Sequence, residues 1–172
     1  MEKTLSVLHD LKKQGIIEDY AIGGGVGAIF YVETILTYDL DIFFTYKNEP
    51  EGLEVLKPIY AYLKGEGYKE HKAHVVIEGV PVQFFPVYDA LSKEAVESAV
   101  RTKFKGVSTK VLRSEHLIAI MLQVFRPKDK ERILLMLDQA KVDKRVLNGI
   151  LRRYELTEKY HRFMKFYEKQ KD

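Results

Sequence analysis

The hydrophobic pattern opens with a helical period. Leu5, Leu8 and Leu11 recur among charged residues, which predicts an amphipathic helix closed by Gly15. Tyr20-Ala21-Ile22 reads as a short strand that runs into Gly23-Gly24-Gly25. Val26 to Val32 carries no charge and predicts a buried helix started by the glycines. Tyr38 to Thr45 is β-rich and predicts a strand containing Asp39 and Asp41. Asn48 to Gly52 predicts a loop, and Leu56 to Lys64 a helix with Pro58 in its first turn and Gly65-Glu66-Gly67 at its end. His74 to Glu78 and Val80 to Pro86 predict a hairpin around Glu78-Gly79, which pairs Ile77 with Val80 and His74 with Gln83. Ala90 to Val100 predicts a helix, and Lys110-Val111-Leu112 one more short strand.

The pattern changes after Ser114, a predicted N-cap for the apolar helix Glu115 to Phe125. Pro127 fits the first turn of a helix running from about Lys128 to Gln139, with Ile133, Leu134 and Leu137 on its buried stripe. Asp143 caps a helix bearing Val146, Leu147, Ile150, Leu151 and Tyr154. A last helix from Thr157 carries Tyr160, Phe163, Phe166 and Tyr167. The chain therefore divides into a mixed α/β core, residues 1–112, and a helical region, 113–172, packed on it. The class is α+β.

Composition narrows the function classes. Of 172 residues, 46% are hydrophobic and 31% charged, a globular balance. A net charge of +3 is too small to argue for nucleic acid by itself. The absence of cysteine excludes disulfides and thiolate metal sites. No apolar run reaches the roughly 20 residues that cross a bilayer, and the charged start lacks the apolar block of a signal peptide. A cytoplasmic protein without membrane contact is expected.

The candidate chemistry lies at Asp39-Leu-Asp41. Alternate residues of a strand share a face, so the two carboxylates are expected to project together. Paired anions repel unless a cation lies between them, and hard oxygen ligands suit Mg²⁺ or Mn²⁺. A glycine turn opening a helix offers backbone N–H groups to a phosphate, which makes Gly23, Gly24 and Gly25 candidates. HExxH, Walker A and GxSxG patterns are absent, and the five histidines lack zinc spacing. The stretch Arg152-Arg153, Lys159, His161-Arg162 and Lys165 interleaves with Tyr154, Tyr160 and Phe163. Its simpler reading is a basic solvated helix face; the alternative is contact with nucleic-acid phosphates.

Ile22 before the glycines, thirteen residues between Gly25 and Asp39, and Leu40 and Ile42 around Asp41 together resemble the core of the polymerase-β-like nucleotidyltransferases. Ser114-Glu115-His116-Leu117 and Arg126-Pro127-Lys128-Asp129 resemble the abortive-infection toxin branch of that superfamily. The resemblance implies a mixed β-sheet core with flanking helices and a C-terminal helical bundle. It implies transfer of a nucleoside monophosphate from an NTP such as ATP to an acceptor hydroxyl. Asp39 and Asp41 would hold divalent metal, the glycines would meet the triphosphate, and Lys128 or Arg132 would supply a cation, with Asp129 as partner.

The chain departs from that family in two places. The strand position that usually holds a third carboxylate is Gln83, an amide that carries no charge. Glu78 falls at the hairpin tip, whereas His74 would pair beside Gln83. The branch's arginine before the Asp pair is missing at Ile35 and Leu36. A degenerate module that binds nucleotide or protein without turnover, or half of a toxin–antitoxin pair, therefore stands as the alternative. The acceptor is open among tRNA, protein and a small molecule such as an aminoglycoside. The aromatic C-terminal stripe leaves a homodimer open.

Overall fold

The computed structural model describes residues 1–33, 35, 37–47, 52–71 and 73–168. The expected Asn48–Glu51 loop and Leu36 lie outside the described residues. Helix α1 (Glu2–Lys13) buries Leu5, Leu8 and Leu11 on one stripe. It ends at Gly15, whose φ of +70° is easy only for glycine and lets Ile16 N bond Leu11 O at 3.0 Å.

Seven strands form one mixed sheet: β1 (Asp19–Ile22), β2 (Leu40–Thr45), β3 (Lys69–His71), β4 (His74–Ile77), β5 (Val80–Pro86), β6 (Val100–Phe104) and β7 (Val107–Val111). Their spatial order is β3-β4-β5-β2-β1-β7-β6, with β2·β5 and β1·β7 parallel and the other pairs antiparallel. The remaining helices are α2 (Gly24–Ile29), α3 (Lys57–Gly65), α4 (Ala90–Glu97), α5 (Ser114–Val124), α6 (Pro127–Gln139), α7 (Lys144–Arg153) and α8 (Thr157–Glu168), with a 3₁₀ turn at Gly52–Leu56 before α3.

The two faces of the sheet bury different sets, as period-two alternation requires. Leu40, Ile42 and Phe44 of β2 point to the face covered by α1 and α3, where Leu8, Ile59 and Leu63 are fully buried. Asp41 and Phe43 point to the other face, where Ala21 and Ala28 meet Leu117, Ile118 and Leu122 of α5. Helix α5 also packs on α4, α6 and α7, so the helical third closes the core beside the Asp face.

The β4–β5 hairpin matches the sequence expectation: Ile77 pairs with Val80, and Glu78 and Gly79 both have positive φ, the type I′ requirement. Several elements differ. Helix α2 starts inside the glycines and stops at Ile29, short of Val32. Helix α4 stops at Glu97, and β6 and β7 form a hairpin turning at Lys105-Gly106, again with both φ positive. Its polar alternation, Arg101-Thr102-Lys103, gives no apolar face to read, because β6 is a sheet edge. Strand β3, Lys-Glu-His and exposed throughout, is invisible for the same reason.

Candidate functional site

Strand β2 begins at Leu40, so Asp41 lies in the sheet while Asp39 precedes it as an exposed residue. Strand alternation therefore places only Asp41. Asp39 comes close enough to repel it electrostatically. Gly23 N donates to Asp41 O at 2.9 Å, which locks the glycine turn to β2.

The three glycines have separate reasons. A Cβ at Gly23 would overlap the Phe43 ring, and one at Gly24 would overlap the Asp41 carboxylate. Gly24 also has φ +56°, a backbone region that side chains disfavour. A Cβ at Gly25 would stand 2.6 Å from Arg132 Nη2 and 2.7 Å from Thr37 Oγ1. The turn is thus a bare shelf between an acid and a guanidinium.

Burial pushes the Asp41 carboxyl up to about 6; Lys128, Arg126 and Arg132 pull the other way, and Asp39 adds to the rise. None of the three cations forms an ion pair with Asp41 within 4 Å among the described residues. Helix α6 and its N-cap Arg126 deliver all three. Pro127 starts it, and Asp129, fully buried, accepts from Arg126 N at 3.0 Å, Nε at 2.8 Å and Nη2 at 3.2 Å. Asp129 therefore caps the helix and fixes Arg126 rather than pairing with Lys128. The sequence reading named Arg126 only within the Arg126–Asp129 run, without a role, and did not name Thr37. The available signal for Arg126 was its position three residues before Asp129, ahead of the helix-starting proline.

Register settles where Gln83 stands. Asp41 pairs directly with Gln83 across the parallel β2·β5 ladder, so both side chains share one face. The β4·β5 register carries His74 to the position beside Gln83, and His71 pairs with His74, their rings stacked at 5.4 Å. A row thus runs His71, His74, Gln83, Asp41. Glu78 sits in the turn, hydrogen-bonded to Tyr68 at 3.1 Å and away from this row.

The donors fit a divalent cation: two carboxylates and an amide oxygen are hard ligands, and a metal charge would offset the desolvation of the half-buried Asp41. No cluster of three or more His, Cys, Asp or Glu residues suited to a metal occurs among the described residues.

A mixed sheet with a glycine turn against a strand aspartate is the arrangement that the resemblance to the nucleotidyltransferases implies. Residues 1–163 match the family described as "Nucleotidyl transferase of unknown function (DUF2204)", and the chain belongs to that family. Two solved structures share the fold. The crystal structure of ANT(2″)-Ia in complex with adenylyl-2″-tobramycin is 15% identical, with a TM-score of 0.53 over 91% of this chain and 98% of its own. An antigenic nucleotidyltransferase-like protein from Paracoccidioides brasiliensis is 18% identical, with a TM-score of 0.52 over 92% and 91%. A search of the curated proteins finds no match. No helix among the described residues is long and apolar enough to cross a membrane.

Proposed function

We propose that the chain transfers a nucleoside monophosphate from an NTP, ATP being the first to test, to an acceptor hydroxyl in the presence of Mg²⁺ or Mn²⁺. The observation that carries this reading is the Asp41 carboxylate against Gly24, with Asp39, Lys128, Arg126 and Arg132 within electrostatic reach. Asp39 and Asp41 would hold the metal, which when bound neutralises phosphate charge and lowers the acceptor hydroxyl's pKa. The shelf at Gly23, Gly24 and Gly25 lets phosphate oxygens approach the backbone without side-chain obstruction. Arg132, beside Gly25, and Lys128 would balance the triphosphate. Asp129 acts one step back by fixing Arg126. The acceptor would approach along the Gln83 and His74 side of the row, where His74 is half-buried and His71 exposed.

Gln83 supports a second reading, a module that binds nucleotide without turnover. It occupies the register position opposite Asp41 where a carboxylate would complete the acidic set. Calorimetric titration of a non-hydrolysable ATP analogue, with and without Mn²⁺, tests the first reading. Metal-dependent binding is expected, and it should vanish in Asp39→Asn/Asp41→Asn; binding unchanged by the double substitution overturns it. Gln83→Asp separates the two readings. A large rise in turnover of α-labelled ATP favours the degenerate module, and no rise favours a natural enzyme.

A further inference from the structure

Helices α6 and α8, with Phe125 at the end of α5, line a groove of about 720 Å³ outside the candidate site. Phe125, the C-cap of α5, lines it. Phe125 has φ +61°, a conformation in which a bulky residue is a genuine outlier, and such strain concentrates at functional positions. Its ring stands edge-on to Phe163 at 5.6 Å between centroids. Lys130 Nζ lies 4.5 Å and Lys159 Nζ 4.8 Å from the same ring centre. Arg162 adds a third cation to the wall, against a single carboxylate, Glu131.

Lys159 Nζ also donates to Gln123 O at 3.0 Å, so it is held on the groove wall, where Lys130, Lys159 and Arg162 together favour an anion. Phe166, 64% exposed, lines the same groove and offers a flat apolar face to something planar. Cations that track phosphates beside exposed aromatic faces are what an unpaired nucleic-acid strand requires, since its bases are free to stack. In a duplex those faces are consumed by neighbouring pairs.

We infer that the α6–α8 groove binds single-stranded nucleic acid, with a base on Phe166 and phosphates on Lys130, Lys159 and Arg162. The basic-aromatic stretch noted in the sequence is thereby divided. Arg153 and Tyr154 are taken up by Glu94, at 2.8 Å and 2.5 Å, while Lys159, Arg162 and Phe163 face the groove. The binding does not depend on nucleotide transfer.

The test is fluorescence anisotropy of a short fluorescein-labelled oligouridylate titrated with the full chain. A duplex of equal length and polyglutamate serve as competitors. The single strand should bind more tightly than either. Phe166→Ala should weaken it about tenfold. Arg162→Glu should weaken it about tenfold and flatten the salt dependence of log K by at least about one. Both positions are exposed on α8, and circular dichroism checks that the helix persists. Should either variant unfold, Lys130→Glu reads the groove from α6. Asp39→Asn/Asp41→Asn should leave this affinity unchanged, so failure here is distinct from failure of the nucleotide-transfer reading. No saturable binding, equal binding by these groove variants, or equal competition by the duplex or polyglutamate overturns the inference.

Discussion

Two acidic residues of this chain meet opposite fates. Asp41 in the candidate site is pushed up to about 6, because burial outweighs three cations that stay beyond ion-pair distance. Glu94 on α4 is also desolvated, yet hydrogen bonds from Arg153, Tyr154 and His116 hold its carboxyl at about 2. Glu94 accepts from Arg153 Nη2 at 2.8 Å and Tyr154 Oη at 2.5 Å, and lies 3.1 Å from His116 Nε2. Among the described residues the first acid makes no side-chain ion pair, so its charge is offset only at a distance. The second is a pin tying α4 to α5 and α7. The difference teaches that directed hydrogen bonds, more than the number of nearby cations, decide whether a carboxylate stabilises a fold or waits for a partner.

The comparison can be broken at Asp41 first. Its raised folded value means that the native state favours the protonated acid, so its contribution is present below about pH 4 and lost as pH rises through about 6. Asp41→Asn should therefore stabilise the metal-free protein at pH 7 by up to roughly 3 kcal/mol, with the gain fading toward pH 4. Urea unfolding at both pH values measures it; a loss at pH 7 would show that Asp41 is already well paired.

Gly24→Ala should act in the opposite direction, costing about 2 kcal/mol and abolishing metal-dependent nucleotide binding. Its Cβ collides with the Asp41 carboxylate, and its φ of +56° strains any side chain. Thermal unfolding together with calorimetry reads both effects, and a neutral substitution would move the carboxylate away from the shelf.

Glu94→Gln should also cost about 2 kcal/mol at pH 7, while leaving nucleotide affinity intact. Glu94 has a depressed value, so its contribution is present above about 4.5 and lost as pH falls toward 2. Burial likewise lowers His116, only partly opposed by Glu94, so acid loads that buried ring with a proton the fold disfavours. Acidification should thus loosen the helical pin while it relieves Asp41. The smallest effect is expected at Asp19, whose carboxyl burial would raise but Lys110 and Lys12 pull down. Asp19→Asn should cost under about 1 kcal/mol, as for partly exposed ion pairs. A larger loss would mean that Lys110, mostly buried, depends on it.

Part of the candidate site was legible because local chemistry demands it. Gly24 admits no side chain, and Asp41 interrupts an otherwise apolar strand, so both stand out in the sequence. The Glu78-Gly79 turn supplied the register, and with it the neighbourhood of Gln83 and His74. Arg126 was named within a run but its role was not read, because it is fixed by a cap three residues on, and Thr37 was not legible, because only contact with a distant glycine places it. The β6 and β3 edges were missed because an exposed edge carries no hydrophobic alternation.

By itself the sequence determined the elements whose residues have few alternatives: the leucine stripe of α1, the glycine turn, the apolar β2 around Asp41, and the proline start of α6. Tertiary structure alone decided that Asp39 precedes the strand, that Arg126, Lys128 and Arg132 converge on Asp41 without forming close ion pairs, and that Phe125 is clasped by two lysines. The physical reason is range. Backbone preference and periodicity act within a turn or two of chain, whereas desolvation and charge act between residues far apart in sequence that only the packed fold brings together.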